Sequence, residues 1–493
     1  MRLKILFFIS LLLLLGGAAG WWYWHVHTRS KIVSVPAELQ LDKVEKTHRI
    51  VLFVHGTFGS TLGLLDVPSV MRDNLRGSLY AKTARSMRKD NFFFSSQPLL
   101  HRGLVPFEPS FDVRESIGFF AAYPIGKALE TVFEQRATPD EIRHYYSFGW
   151  SGLLSQQKRR QEAIRLLNEL NAEVAKFKER GITPQITVLC HSHGGNLLLN
   201  VGALVSILRC ERLSTVTGVE NAAALEELKV SLARLPERDV VADFKGQKKL
   251  DYRPDVPSWN INECMFFGTP VQPETDFAIG SSLFESMYHC YSLADRVQPS
   301  DWISTSRYYS EQRFDRIEKL LNAAGKKLPQ KLVQIRLMFD RAISDDGKFV
   351  SKASLAGGGK KFSLWNVLVG EFDSKPLDED PTHKEFWFLV FSKNIDQHVI
   401  KPLPVVVFAP CIIDALKPSC EHVDVDLNIA HRGEALCFEV ADHKKGSVFA
   451  SHALSFDVVH RLRMAAKMWE ADADFLAQEE SLLSQHLRTG REC

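Results

Sequence analysis

A serine at the end of an apolar run is the residue in this chain best suited to chemistry. The stretch Ile186-Thr187-Val188-Leu189-Cys190-His191-Ser192-His193-Gly194-Gly195 is β-branched and apolar up to Cys190. It then meets Ser192 and passes through two glycines into an apolar, helix-like segment from Asn196 to Cys210. Strand, sharp turn and helix with a serine at the apex force a strained backbone that lifts the hydroxyl clear of the sheet. The glycines let the helix pass close to the strand without a Cβ clash. A hydroxyl so presented is a candidate nucleophile once a neighbouring base takes its proton. The plain alternative is an ordinary strand-to-helix turn, so the surrounding chain has to supply the remaining groups.

The elements that would position this serine are legible on both sides of it. Upstream, Arg49-Ile50-Val51-Leu52-Phe53-Val54-His55-Gly56-Thr57 is a near-continuous apolar strand ending in His-Gly. Continuous hydrophobicity suits a parallel strand buried on both faces. Tyr145 to Gly152 is read as another buried strand with a glycine exit. A long amphipathic helix follows, with Ala163, Leu166, Leu167, Leu170, Val174 and Phe177 at helical spacing, and Gly181 and Pro184 end it. This βαβα run predicts an α/β fold with a mostly parallel sheet and right-handed crossovers.

With these elements in place, the serine turn resembles the nucleophile elbow of the α/β-hydrolase superfamily, G-x-S-x-G, with Cys190 standing where the first glycine would be. The resemblance covers about residues 49–400 and implies a lipase- or esterase-like serine hydrolase needing no metal or organic cofactor. It implies an oxyanion hole formed by an N–H just beyond His55-Gly56, at Thr57 or Phe58, together with the N–H of His193. It also implies that an acid and then a histidine follow the serine. Ile261 to Pro270 is read as the next strand, with a Gly-Thr-Pro exit similar to that of lipase-like members. Tyr288 to Pro299 leads into Asp295-Arg296-Val297-Gln298-Pro299, which resembles the family's acid loop. Asp295 is therefore the candidate acid, with Asp301 as the alternative; a turn-capping role is the plain reading of either. Leu332 to Phe339 alternates like one more strand. A polar excursion containing Gly357-Gly358-Gly359-Lys360-Lys361 precedes Asp380-Pro381-Thr382-His383. Proline and threonine start a helix there, which makes His383 the candidate base. His398, His422, His431, His443 and His452 are the alternatives.

At 493 residues the chain is about twice the ~250 residues of a minimal core of this kind. The excess falls in an insertion at about 58–144 that contains Phe92, Phe93, Phe94, Phe107, Phe111, Phe119 and Phe120. A second, charged insertion at about 217–255 holds an alanine–leucine helix. By the same resemblance such insertions form lids and acyl pockets; equally, the phenylalanines could make the insertion's own core. From 401 the text turns β-rich, with strands expected at Leu403 to Ile412, His422 to Ile429, Glu434 to Val440 and Val448 to Leu454. A helix is expected from Asp457 to about Leu476. This extension either prolongs the sheet or forms an appended β element packed on the core; the second is preferred.

The N-terminus carries a separate signal. Arg2 and Lys4 precede an apolar run from Ile5 to Ala19, followed by Trp21-Trp22-Tyr23-Trp24. About twenty residues suffice to cross a bilayer, and the aromatic cluster suits its interface. Residues 1–24 are therefore read as a single-pass membrane anchor and 25–48 as a linker. The alternative is a cleaved signal peptide that leaves a secreted or periplasmic protein, because Ala18, Ala19 and Gly20 are small enough for cleavage. Membrane location points to a lipid or acylated ester as substrate. Two other readings stay open: an acyltransferase using the same serine, and an inactive hydrolase fold serving as an interaction module. A net charge of +2 gives no case for nucleic-acid binding. No cluster has metal-ligand spacing, since His191 and His193 flank the elbow and point apart. Of eight cysteines, Cys190, Cys264 and Cys290 fall in core strands as buried thiols, whereas Cys411, Cys420 and Cys437 could pair in an oxidising compartment.

Overall fold

The computed structural model describes residues 46–56, 103–110, 122–135, 140–150, 152, 156–211, 219–236, 252–295, 310–316, 319, 331–350, 380–387, 400, 403–416 and 423–465. The strands are β1 (Thr47–Val54), β2 (Gly103–Phe107), β3 (Glu141–Gly149), β4 (Gln185–His191), β5 (Glu263–Phe267), β6 (Ser286–Tyr291) and β7 (Lys331–Phe339). A small hairpin, β8 (Ala342–Ile343) and β9 (Phe349–Val350), comes next, and β10 (Val423–Arg432), β11 (Ala435–Asp442) and β12 (Val448–Ser455) close the series. Apart from the hairpin they form one ten-stranded sheet in the order β12-β11-β10-β7-β6-β5-β4-β1-β3-β2. From β3 across to β10 every pairing is parallel. The edges are antiparallel: β2 on β3 at one end, β11 and β12 beyond β10 at the other.

Helices cover both faces of this sheet. On one side Ile50, Leu52, Val54, Ile186, Val188 and Cys190 bury against α2 (Gln156–Glu179) and α3 (His193–Leu208). On the other, Val51, Phe53, Leu189 and Phe267 share a core with α1 (Ala122–Glu134) and α5 (Ala409–Leu416). Two-sided burial is why β1 and β4 read as continuous apolar text rather than alternating. At the opposite end of the sheet from the serine, Arg49 laces four strands together. Its guanidinium donates to Glu141 (2.9 Å), Thr187 (2.8 Å), Gln185 (2.5 Å) and Glu263 (3.2 Å).

The segment expected as a strand from Leu403 to Ile412 is helical instead. A 3-10 turn at Val405–Phe408 runs into α5, and both are buried. A short run apolar on every side carries no periodicity that separates strand from helix. Pro410, which cannot donate to a strand ladder but is tolerated in a first helical turn, argues for the helix. The strands after it do not stand apart, because β10 pairs in parallel with β7 and continues the main sheet. A helix over 456–465 follows β12.

The first insertion contributes β2 and α1 to the body of the fold. Phe107 packs 6.0 Å, ring to ring, from both Phe53 and Tyr145. Phe133, in α1, is buried in the same core, and Phe92, Phe93, Phe94, Phe111, Phe119 and Phe120 lie outside the described residues. The second insertion contains helix α4 (Val219–Ala233). Among the described residues no helix is long and apolar enough to cross a membrane; the N-terminal apolar run lies outside them.

Candidate active site

Ser192 sits between β4 and α3 with φ 50° and ψ −130°. A non-glycine residue there carries strain of about 1–3 kcal/mol, which the surroundings have to over-determine. They do so with close contacts that leave no slack. The Ser192 N–H donates to the Phe267 carbonyl at 2.9 Å, and the Gly195 N–H donates back to the Ser192 carbonyl at 3.0 Å. A Cβ on Gly194 would lie 2.5 Å from the carbonyl oxygens of both Val54 and His55, so only glycine lets α3 start this close to β1. A Cβ on Gly56 would lie 2.6 Å from Ser192 Cβ.

The topology explains why the serine is here. β1 is followed in the chain by strands on one side of it, β2 and β3, whereas β4 is followed by β5 and β6 on the other. Where connections leave two adjacent parallel strands in opposite directions, a crevice opens beyond their carboxyl ends. Val54 and Cys190 are register partners, so the exits of β1 and β4 flank that crevice. The β1 exit is pinned by Trp150, whose Nε1–H donates to the His55 carbonyl at 2.7 Å and whose ring stacks on the His55 ring 5.5 Å away. Thr57 and Phe58, the expected oxyanion donors on this side, lie outside the described residues. On the other side, the His193 amide is the first of α3, at the positive end of the helix dipole.

Asp295 lies in the turn after β6 and is fully buried. Its N–H donates to Ser292 O at 3.1 Å, and Gln312 Nε2 holds the turn from outside by donating to Ser292 O (3.2 Å) and Asp295 O (3.1 Å). Asp295 Oδ2 accepts a 2.7 Å hydrogen bond from His383 Nδ1. Gly268, at the exit of β5, has φ +58°, and a Cβ there would lie 2.8 Å from Asp295 Oδ2 and 2.9 Å from His383 Nδ1.

His383 is held by its own short segment. Thr382 N–H and Oγ1–H both donate to Glu385 Oε2 at 2.6 Å, while Glu385 N–H donates to Thr382 O at 3.0 Å. The Glu385 carboxylate reaching back to the Thr382 N–H is one half of a capping box, and the segment continues as a 3-10 turn, Lys384–Phe386. Arg341 pairs with Asp380 at 2.5 Å just upstream, and Phe386 and Trp387 just downstream are buried. His383 Nε2 is buried and has no hydrogen-bond partner among the described residues. It is the ring nitrogen left to exchange a proton once Nδ1 is committed to Asp295.

The structure thus brings His383 to Asp295, and it occupies the other described candidate histidines elsewhere. His431 Nε2 meets Arg463, His443 bonds Asp426 at 2.6 Å and His452 packs on Phe438. His398, His422 and Asp301 lie outside the described residues. Burial pushes the Cys190 thiol well above its ordinary pKa, so the cysteine beside the serine offers no thiolate at neutral pH. Among the described cysteines, Cys190, Cys210, Cys264, Cys290 and Cys437 are free thiols.

Three contributors escape a reading of the sequence. Gln312 has no local signal at all. Glu385 had one, the Thr-x-x-Glu spacing from Thr382. His191, beside Ser192, packs its ring 4.6 Å from that of His383. A hollow of about 200 Å³ between α2 and residues 252–259, lined by Asn168, Lys178, Tyr252 and Trp259 among others, shares no residue with this constellation. No protein-family model matches the chain, and neither a curated protein nor a solved structure does. Function is therefore read from the geometry of the site.

Proposed function

We propose that the sheet is an α/β-hydrolase fold and that the chain is a serine hydrolase acting on carboxylic esters through Ser192, His383 and Asp295. One observation carries the reading: a strained serine at the switch point of a parallel sheet, and, in the turn after β6, a buried aspartate hydrogen-bonded to a half-buried histidine. His383 Nε2 takes the Ser192 proton as Oγ attacks the acyl carbon, and returns it to the leaving alcohol. Asp295 holds the tautomer with Nδ1 protonated and stabilises the imidazolium. The His193 N–H and an amide just beyond Gly56, at Thr57 or Phe58, face the tetrahedral oxyanion, each donor worth about 3 kcal/mol. Water then repeats the sequence on the acyl-enzyme.

Residues 1–24 supply the argument for an apolar acyl substrate, because an enzyme tethered by a single membrane helix meets its substrate at a bilayer. Leu293, two residues before Asp295, is 59 % exposed, an apolar side chain at the rim of the acid turn. Labelling with a fluorophosphonate probe tests the reading. Wild type reacts and Ser192→Ala does not; a folded wild type that stays unlabelled, with and without lipid or detergent, overturns it. Deleting residues 2–24 releases the protein from membranes while Ser192 still labels. Persistent membrane binding would move the anchor to the phenylalanine-rich insertion.

A further inference from the structure

We propose that His191 is a positioning residue that ties the loop carrying His383 to the nucleophile elbow through a hydrogen bond from its Nε2–H to the His383 carbonyl. The inference rests on the hydrolase reading, in which the placement of the His383 ring decides the rate.

The bond measures 3.1 Å. A carbonyl can only accept, so Nε2 carries the hydrogen. The ring packs against two others: that of His383, with centroids 4.6 Å apart and planes inclined by 44°, and that of Trp387, stacked at 5.6 Å and 17°. Trp387 is itself wedged edge-on against Phe53 at 5.9 Å. Around the ring the fit is close, since a Cβ on Gly56 would come within 2.9 Å of His191 Nδ1. His191 and Ser192 share a peptide bond. Whatever fixes the His191 ring therefore fixes the nucleophile's backbone and the base's backbone as one piece.

The ring must also stay uncharged to do this without opposing catalysis. Burial, then the neighbouring His383, His55 and His193, push its pKa well below the ordinary histidine value, while the bond to the His383 carbonyl acts the other way. At neutral pH it is a neutral donor. A cation this close would repel the imidazolium that His383 becomes during turnover.

Two substitutions of similar volume separate the N–H from the packing. The amide of His191→Gln can reach the same carbonyl, whereas His191→Leu fills the space with no donor. Two readouts apply to both variants, the rate of fluorophosphonate labelling and the downfield proton NMR signal of the His383–Asp295 hydrogen bond, which His383→Ala identifies by its loss. Thermal melting confirms that each variant is folded. A drift of the base by a fraction of an ångström predicts labelling about tenfold slower in His191→Leu, with the proton signal broadened by exchange with water. His191→Gln should recover both to within about threefold of wild type. Wild-type rate and signal in His191→Leu would overturn the proposal, as would a His191→Gln variant no better than leucine. An unlabelled wild type would refute the hydrolase reading instead, and the proton signal in the two variants would still decide the role of His191.

Discussion

Gly268→Ala is the substitution that most directly tests whether the Asp295–His383 pair does chemistry. Gly268 has φ +58°, and an added Cβ would stand 2.8 Å from Asp295 Oδ2, 2.9 Å from His383 Nδ1 and 3.0 Å from Phe386 Cδ2. The left-handed backbone alone costs alanine about 1–2 kcal/mol. Ordinary contact at a Cβ begins near ~3.4 Å, so the carboxylate and the imidazole each have to retreat by about 0.5 Å, an overpacking penalty of a further ~1–3 kcal/mol. Neither group can retreat along its own hydrogen bond without lengthening a 2.7 Å contact that orients the base. Misplacement by about 1 Å costs on the order of 100-fold in rate, so half of that predicts labelling of Ser192 slowed about 10- to 100-fold. The melting temperature falls by only a few degrees, because the lost few kcal/mol is spread over a large unfolding enthalpy. Gly433→Ala is the matched control: φ is +60° and nothing lies within 4 Å of the added Cβ. It carries the same backbone strain and should label at the wild-type rate. Wild-type labelling by a folded Gly268→Ala would refute the assignment of the pair. Equal slowing by Gly433→Ala would show that global destabilisation, not site geometry, sets the rate.

Other perturbations probe the same site from different directions. Asp295→Asn preserves shape but leaves His383 in the wrong tautomer, so ester turnover should fall by about 10⁴ with little change in melting; a loss under tenfold would argue against Asp295 as the acid. Ser192→Gly and Ser192→Ala both abolish labelling, yet glycine tolerates φ 50° and alanine does not. The glycine variant should therefore melt above the alanine variant, and the reverse order would deny that the elbow is strained. Burial holds the pKa of His289 down at about 4, while its bond to the Thr269 carbonyl pulls the other way. The unfolded chain thus binds a proton that the folded one refuses between about pH 6.5 and pH 4, and stability drops by about 3 kcal/mol as pH falls through that window. In urea melts at pH 7 and pH 5, His289→Gln should lose less stability on acidification than wild type; identical losses would exclude this histidine as a source of acid sensitivity.

The parallel core was legible because its strands are covered on both faces. β1, β4 and β5 announce themselves as apolar runs with glycine or polar exits, β7 shows alternation, and the helix between β3 and β4 shows its period in Leu166, Leu167, Leu170 and Val174. Where that same two-sided burial falls on a helix, the signal inverts. Val405 to Ile412 is apolar throughout and opens on three β-branched residues, and reads as strand until Pro410 is given its weight. β2 was hidden for a different reason. Its sequence Gly-Leu-Val-Pro-Phe contains a proline, which only an edge strand accommodates, and β2 is the outermost strand of the sheet.

The residues of the site differ in legibility according to how local their cause is. Ser192, Asp295 and His383 each carry a mark in their own few neighbours: glycines after a strand, a turn after a strand, a proline and threonine before a helical turn. Nothing in those marks says that Asp295 and His383 meet, or on which side of the sheet they stand relative to Ser192. What joins them is strand order, which places the exits of β1 and β4 side by side and the exits of β5 and β6 next to them. The contribution of His191 depends on that order twice over. Alternation along β4 does fix that Cys190 and His191 lie on opposite faces. Which face receives residues 380–387 depends on how the chain returns from β7, a long-range choice with no trace near residue 191. His191 therefore looks from the sequence like one more elbow residue, and only the assembled sheet turns it into the link between the nucleophile and its base.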